Sequence, residues 1–533
     1  MFCRSIHTAE PNAMVTTSKR LSNQEVLRFY GRVRNLVKRY PPHDYAPFVA
    51  SRILRFADHP EKWQSWPPHT LLHSIEANCS YYCRGYNETM TEQQIVKILK
   101  AYAEFDDPYL VHLLEEERNP LLALYAMFRQ QFVAQQKVSP YDFGRCLLMF
   151  IENNPMLDSS EEFNRKFSLS LQQWVYLCLL TSSMVHARAS NPDRPPTFRL
   201  ENLERGEVPM PAEALRPFFQ LLSKSPKEVG QMFREVRNGI EPRFHICVRS
   251  LFLQYPIIVF ENGEYLAPHE GFVLMNAWEG PYRLLRGADR FSQELGAAFQ
   301  GYVGLIIPDI PNRVNVLAGP DLKRALPDRR TCDFLVETAD SIILIECKAT
   351  VYSATLVTEG AIRGDNSTTK IADSFDQLHQ TATAVREGSL SDRLTDAMKP
   401  IVGITVVLGD IPFLNEPGLR QNIFLPKMPR TVATWPHPLV FEPQVFPIRM
   451  FEKLIVAMKA LGQSALEIIR EKIKLPYEKV GDWFPYLNNL LQANKDAPDV
   501  GLAAPTEAFN RYRAKIESRN VRDLYQPKQK AQN

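Results

Sequence analysis

Between about residues 22 and 239, apolar side chains recur every three or four positions, the spacing of helices that bury one face. Val26, Leu27, Tyr30, Val33 and Val37 make the first such stripe, and Tyr40-Pro41-Pro42 ends it, because proline has no amide to continue the ladder. Further stripes predict helices over 91–105, 108–117, 120–136, 141–153 and 160–185. Cys79 and Cys83 fall on one helical face beside Tyr81 and Tyr82, where packing is their expected role. Strand-like alternation is scarce and no repeat of solenoid length is visible, so a helical domain over 1–240 is expected.

The stretch 191–211 is polar and rich in proline, as a linker or long surface loop would be. After it, residues 241–288 read as a connector. Tyr255 to Leu266 predicts a hairpin turning at Asn262-Gly263, and 267–278 predicts a helix. From 289 the period changes repeatedly. Phe291, Leu295, Ala298, Phe299, Tyr302 and Val303 form a helical face, followed by strands over 312–318, 332–337 and 341–350. A helix over 370–386 and a buried strand over 400–408 complete the order α-β-β-β-α-β. The core is placed at 289–460, and C-terminal helices with a basic tail at 461–533. The fold class is α+β, with the large helical domain first.

Composition narrows the possibilities without choosing among them. The chain has 533 residues, 45% hydrophobic and 23% charged, which suits several folded modules and excludes wholesale disorder. Its formal net charge of +3 excludes a histone-like polycation but permits local basic surfaces. Forty Pro against 23 Gly predicts stiff connections. The eight Cys show no zinc or disulfide spacing, the first fifteen residues lack the apolar stretch of a signal peptide, and no apolar run approaches the ~20 residues that span a bilayer. A cytoplasmic protein with no membrane partner is the expectation. Lys19, Arg20, Arg28, Arg32, Arg34, Lys38 and Arg39 form a basic run opposed by Glu25, and the tail from Arg511 holds seven Lys and Arg against two acids. Either could touch phosphates, although solvated faces commonly carry such charge. Glu115-Glu116-Glu117 reads as a solvated run, and His269 and His379 as core or surface residues. No phosphate-binding GxxxxGK[ST] loop is present.

The chemistry concentrates in Asp333-Phe-Leu-Val-Glu337 and Ile342-Ile-Leu-Ile-Glu346-Cys347-Lys348. Alternate side chains of a strand share a face, so Glu346 and Lys348 project together while Ile343, Ile345 and Cys347 point the other way. A tight turn folds the earlier strand back and brings Asp333 near Glu346. Two carboxylates and an ammonium at one sheet end suit metal-assisted cleavage of a phosphodiester. Mg²⁺ binds through one or two carboxylates plus substrate phosphate, with the Cys347 backbone carbonyl as a natural extra ligand. Lys348 could orient the attacking water or stabilise charge growing on the phosphorane.

With this order of elements, Asp333 opening the second strand and Glu346-x-Lys348 closing the third, the stretch from about Asp289 to Phe451 resembles the PD-(D/E)XK nuclease superfamily. The resemblance implies a restriction-endonuclease-like core, Asp333 and Glu346 as ligands of Mg²⁺ (with Mn²⁺ as a substitute), and Lys348 as the catalytic lysine. It also implies a supporting Gln on the next helix, where Gln377 falls. Two departures stand out. Cys332 occupies a position that is often Pro, and the first helix carries Gln300 where many relatives have a metal-supporting Glu, leaving Glu294 as the nearest substitute ligand.

The layout, with a long helical part, a connector containing PIIVFENGEYLAPHEGFVL and then this core, resembles bacterial single-protein antiphage nucleases. That likeness implies antiviral defence, a helical sensor and a phage-derived protein as trigger, with a homo-oligomer left open. The expected function is a Mg²⁺-dependent endonuclease acting on nucleic acid, DNA favoured. An RNA- or tRNA-cleaving enzyme of the same fold is one alternative, and a catalytically degenerate binding or scaffold protein another.

Overall fold

Proline suits the first turn of a helix as well as it ends one, since an amide there has no intrahelical partner anyway. Pro42 accordingly begins a second helix, Pro42–Phe56, directly after Asn23–Val37. In the computed structural model the described residues are 22–56, 66–84, 86–116, 139–152, 156–189, 196–204, 212–238, 245, 248, 250–285, 287–288, 290–350, 366–409, 415, 417, 420, 427, 438–476, 482–494 and 500–517. The helix expected over 120–136, most of the 191–211 linker, Lys19, Arg20, Glu117 and the tail beyond 517 lie outside them. The chain forms two units, one holding Pro140–Met156 and Asp289–Asn510, the other Ala9–Ser139, Leu157–Ala288 and the C-terminal stretch from Arg511.

The second of these units is mainly helical. Asn23–Val37 opens with a capping box between Ser22 and Glu25 and buries Val26, Phe29, Tyr30, Val33 and Val37. Leu27, counted in the predicted stripe, lies outside that arc and is 54% exposed. Pro68–Tyr81 follows, and the helices expected over 91–105 and 108–117 are one, Glu92–Glu116. The single helix expected over 160–185 is two, Leu157–Phe167 and Leu171–Ala189. Ser168 adopts a left-handed φ of 55°, and the Ser170 hydroxyl and Gln173 side chain cap the new start. Glu270–Leu284 overruns the predicted 267–278.

This unit also contains a small sheet that the alternation did not reveal. Its strands are β1 (Thr197–Phe198), β2 (Ser223–Lys224), β3 (Ile257–Val259) and β4 (Tyr265–Leu266), in the order β1-β4-β3-β2. Two-residue strands are too short to show a period. The expected hairpin is β3-β4, antiparallel, and its turn places Gly263 at φ 78°.

The other unit carries a five-stranded sheet, β5 (Arg313–Ala318), β6 (Phe334–Thr338), β7 (Ile342–Lys348), β8 (Ile401–Val407) and β9 (Gln444–Pro447), in that spatial order. β5-β6 and β6-β7 pair antiparallel, β7-β8 and β8-β9 parallel. Ile342 to Ile345 are apolar on both faces, and a strand of that kind must be covered on both sides. Helix Asn366–Arg386 lies against β7 and β8, helix Phe291–Ile306 against β7, and Ile448–Leu461 against β8 and β9. Leu335, Leu344, Leu378 and Ala382 share one core cluster, with Cys332 in it. The order from 291 to 407 contains the expected α-β-β-β-α-β, with helix Gly319–Ala325 inserted and β9 added. Helices Ala465–Lys474, Trp483–Ala493 and Ala503–Glu517 close the chain. Among the described residues no helix is long and apolar enough to cross a membrane.

Candidate functional site

β6 and β7 pair with Phe334 opposite Ile345, so Asp333, one residue earlier, stands beside Glu346. The main chain splays there and side chains replace the ladder. The Asp333 amide donates to Glu346 Oε2 at 3.1 Å, and the Cys347 amide donates to Asp333 Oδ2 at 2.7 Å. The Cys347 side chain also lies against the Asp333 carboxylate.

Lys348 projects on the face of Glu346, as strand alternation requires. Its Nζ donates to Glu346 Oε1 at 2.6 Å and to Gln377 Oε1 at 2.7 Å. The Gln377 amide is fixed from its other end, because Nε2 donates to the Thr331 carbonyl at 3.1 Å. That bond turns Oε1 toward the ammonium. The same helix grips the approach to β6 again, the Cys332 amide donating to Thr381 Oγ1 at 2.9 Å and the Arg330 amide to Gln380 Oε1 at 3.1 Å. One register step over, Thr405 of β8 pairs with Glu346, and its hydroxyl meets Ser374 Oγ at 2.8 Å. Thr331, Ser374, Thr381 and Thr405 gave no signal in the sequence, since a carbonyl has no identity and a hydroxyl on a helix or strand is ordinarily just packed.

Glu346 is 2% exposed. Burial, then the charge of Asp333, pushes it up to about 7, against the pull of Lys348. Burial raises Asp333 as well, opposed by the Cys347 amide and Lys348. Two carboxylates held together in low dielectric disfavour their own charge, and a cation between them relieves that conflict. The Cys347 thiol is held well above its ordinary value by burial and then by Asp333 and Glu346, so it is no nucleophile.

The residues fit a hard divalent cation. Asp333 and Glu346 lie side by side, and burial raises both carboxyls, so both need countercharge. A residue in a strand turns its amide and carbonyl to the same side. The Cys347 amide meets Asp333, so the Cys347 carbonyl points to that side too. Support for a second ion is absent from the described residues. Neither at this site nor elsewhere among them do three or more His, Cys, Asp or Glu form a group able to hold a metal, so an ion here would rest on two carboxylates and a main-chain carbonyl. Glu294 is half-buried, six residues or roughly 9 Å of helix rise before Gln300, and is not among the charges acting on Asp333 or Glu346. Gln300 Nε2 and the Asp333 carbonyl oxygen both lie close to Gly319. A Cβ at Gly319 would stand 3.5 Å from Gln300 Nε2 and 3.4 Å from the Asp333 carbonyl oxygen.

Compared with protein-family models, with curated proteins and with solved structures, the chain matches none.

Proposed function

We propose that this chain is a metal-dependent nuclease with a restriction-endonuclease-like core of the PD-(D/E)XK kind, hydrolysing phosphodiester bonds of nucleic acid, DNA favoured. The observation that carries the reading is Lys348 Nζ, held between Glu346 Oε1 and Gln377 Oε1 at the strand end where Asp333 also lies. Asp333, Glu346 and the Cys347 carbonyl would hold Mg²⁺, which supplies positive charge to polarise the phosphoryl oxygen and activate water. Lys348 places an ammonium beside the reacting phosphate, where it orients the attacking water and stabilises the negative charge that grows on phosphorus. Gln377 keeps that ammonium aimed while Thr331 keeps Gln377 aimed. A place in antiphage defence rests on likeness of layout alone.

The test incubates purified protein with duplex DNA and with tRNA, each with Mg²⁺ or EDTA, alongside the Lys348→Ala variant. Cleavage of DNA that EDTA abolishes and the substitution sharply reduces is the expected result. Cleavage of tRNA alone moves the substrate to RNA, because nothing in the Asp333, Glu346 and Lys348 set reads a 2′-hydroxyl. Cleavage of neither pool leaves a binding or scaffold role on the same fold.

A further inference from the structure

The basic run near the N-terminus belongs to no part of that site, and within its own unit it does not stand alone. The end of helix Asn23–Val37 is stitched to the end of helix Pro68–Tyr81. Asn78 Nδ2 donates to the carbonyls of Val37 and Tyr40, each at 2.9 Å. The Cys83 amide donates to the Lys38 carbonyl at 3.1 Å, and the Glu88 amide to the Arg39 carbonyl at 3.2 Å. Arg234 joins from helix Pro226–Asn238, donating to Ser80 O at 2.8 Å and Ser80 Oγ at 3.2 Å. Burial raises the Tyr81 hydroxyl while Arg237, Arg34 and Arg234 pull it down, which places Arg34 within charge range of the same ring.

The ridge so assembled carries Arg34, Lys38, Arg39, Arg84 and Arg234 against Glu88, which Arg39 holds at 3.4 Å. That is five cations less one acid, +4, more than the +3 of the whole chain. Arg34, Lys38 and Arg84 have no carboxylate partner among the described residues, and Arg234 spends its bonds on a main-chain carbonyl and a hydroxyl. Gathering like charges works against folding, so the fold itself does not account for the cluster. Aromatic rings interleave the cations. Tyr86 is 41% exposed, Tyr82 is half-exposed and donates its hydroxyl to the Tyr86 carbonyl at 3.4 Å, and Tyr81 packs edge-on to Phe233 at 6.0 Å.

We propose that this ridge binds a single strand of nucleic acid, with Arg34, Lys38, Arg84 and Arg234 tracking phosphates and Tyr82 and Tyr86 stacking bases. Cations alone would serve any polyanion; exposed rings among them serve unstacked bases, which a duplex does not offer. The ridge gives the nuclease reading a second place of contact with nucleic acid, but stands on its own observations.

The test is fluorescence anisotropy with short labelled DNA and RNA strands, a duplex and an acidic polypeptide, over a range of salt and in EDTA. EDTA stops a metal-dependent cut, so failure of binding here and failure of cleavage at Glu346 are read separately. For the Arg34→Gln/Arg84→Gln pair, the slope of log affinity against log salt should flatten by about 1.4, from ~0.7 per lost phosphate contact on a single strand. Tyr86→Ala should weaken single-strand binding by roughly 5- to 160-fold, the range for one lost base–ring stack. Both sets of side chains are exposed, and thermal melts verify that the fold is kept; Lys38→Gln is the fallback for either arginine. Three results would overturn the proposal: no single-strand binding by the unmodified protein, an unchanged salt slope in the folded arginine variant, or Tyr86→Ala without effect while the acidic polypeptide binds as well as the strands.

Discussion

Lys348 is where a catalytic and a structural role are hardest to separate, because its ammonium already has two partners in Glu346 and Gln377. A catalytic ammonium matters most as charge builds on phosphorus, so its loss lowers turnover more than binding. Lys348→Ala should reduce cleavage by ~10²–10³ with Mg²⁺ affinity kept. Parental cleavage would remove the lysine from the reaction, and a variant that merely unfolds would make it a structural ion-pair partner. Gln377 works at one remove. With Nε2 tied to Thr331, Gln377→Ala should loosen the ammonium and cost turnover, while Gln377→Glu binds it more tightly and withholds it from the phosphate. Both should lower turnover with little change in KM, whereas a purely structural glutamine would shift the melting temperature instead. Asp333, Glu346 and Lys348 were legible as candidates because strand alternation and a tight turn place side chains on faces, whereas Gln377 was a candidate through the resemblance alone. The Asp333 contact with the Cys347 amide was not legible, since it depends on the ladder giving way at the strand end.

Elements were legible where a hydrophobic period ran long enough to repeat. β7 and β8 lie within a residue or two of their expected bounds, while β1, β2 and β9 are too short to carry a period. The break at Ser168 was written in Ser170-x-x-Gln173, a capping box overridden by the apolar stripe on either side. The opposite end of β6 shows how a buried charge can fix an element. Glu337 is fully buried and accepts from Lys399 Nζ at 2.8 Å, the Thr395 amide at 3.0 Å, the Asp396 amide at 3.2 Å and the Thr395 hydroxyl. Burial pushes its carboxyl up, but Lys399 and the Thr395 and Asp396 donors outweigh it and hold the carboxyl below the ordinary 4.5. A lowered native value means the unfolded chain binds the proton more readily. The stabilisation is therefore complete above about 4.5 and is lost as pH falls through the lower native value. Glu337→Gln should cost about 3 kcal/mol at pH 7, the order for removing one partner of a buried pair. Melts of both proteins from pH 7 to pH 3 should show that gap closing, and a gap constant with pH would mean the carboxylate charge is not what fixes the strand.

At the scale of the whole molecule, chain order and fold diverge at residues 140–156. The sequence pattern sets Pro140–Phe150 in a row of helices, and nothing in its period tells which core it joins; the structure assigns it to the unit of the five-stranded sheet. The reason is a buried charge network between residues far apart in sequence. Arg145 donates to Glu452 Oε1 at 2.7 Å and to Asp142 Oδ1 at 2.5 Å, Arg449 donates to Asp142 Oδ1 at 2.7 Å, and the Tyr302 hydroxyl donates to Glu452 Oε1 at 2.5 Å. Arg145 and Asp142 are 3% and 1% exposed, so neither charge can turn to water if its partners leave. Close approach adds to this, since a Cβ on Gly144 would stand 2.0 Å from the Pro505 carbonyl oxygen. A polypeptide restricted to 289–510 lacks Arg145, so Glu452 loses its cation and the core face under the missing helix is opened to water. It should be less stable than the same unit in the full chain by about 3–5 kcal/mol or fail to fold, and a linked copy of residues 139–157 should restore it. Arg145→Ala in the full chain isolates the charge from the lost helix, and should destabilise this unit by a similar amount. Arg145→Met with Glu452→Leu, Asp142→Leu, Arg449→Met and Tyr302→Phe should recover much of that loss, because a packed apolar cluster then replaces every member of the network at little cost. Denaturant melts of these four proteins beside the intact chain decide the matter: residues 289–510 unfolding at the denaturant concentration of the intact sheet unit would show that the helix is docked there without supporting the core.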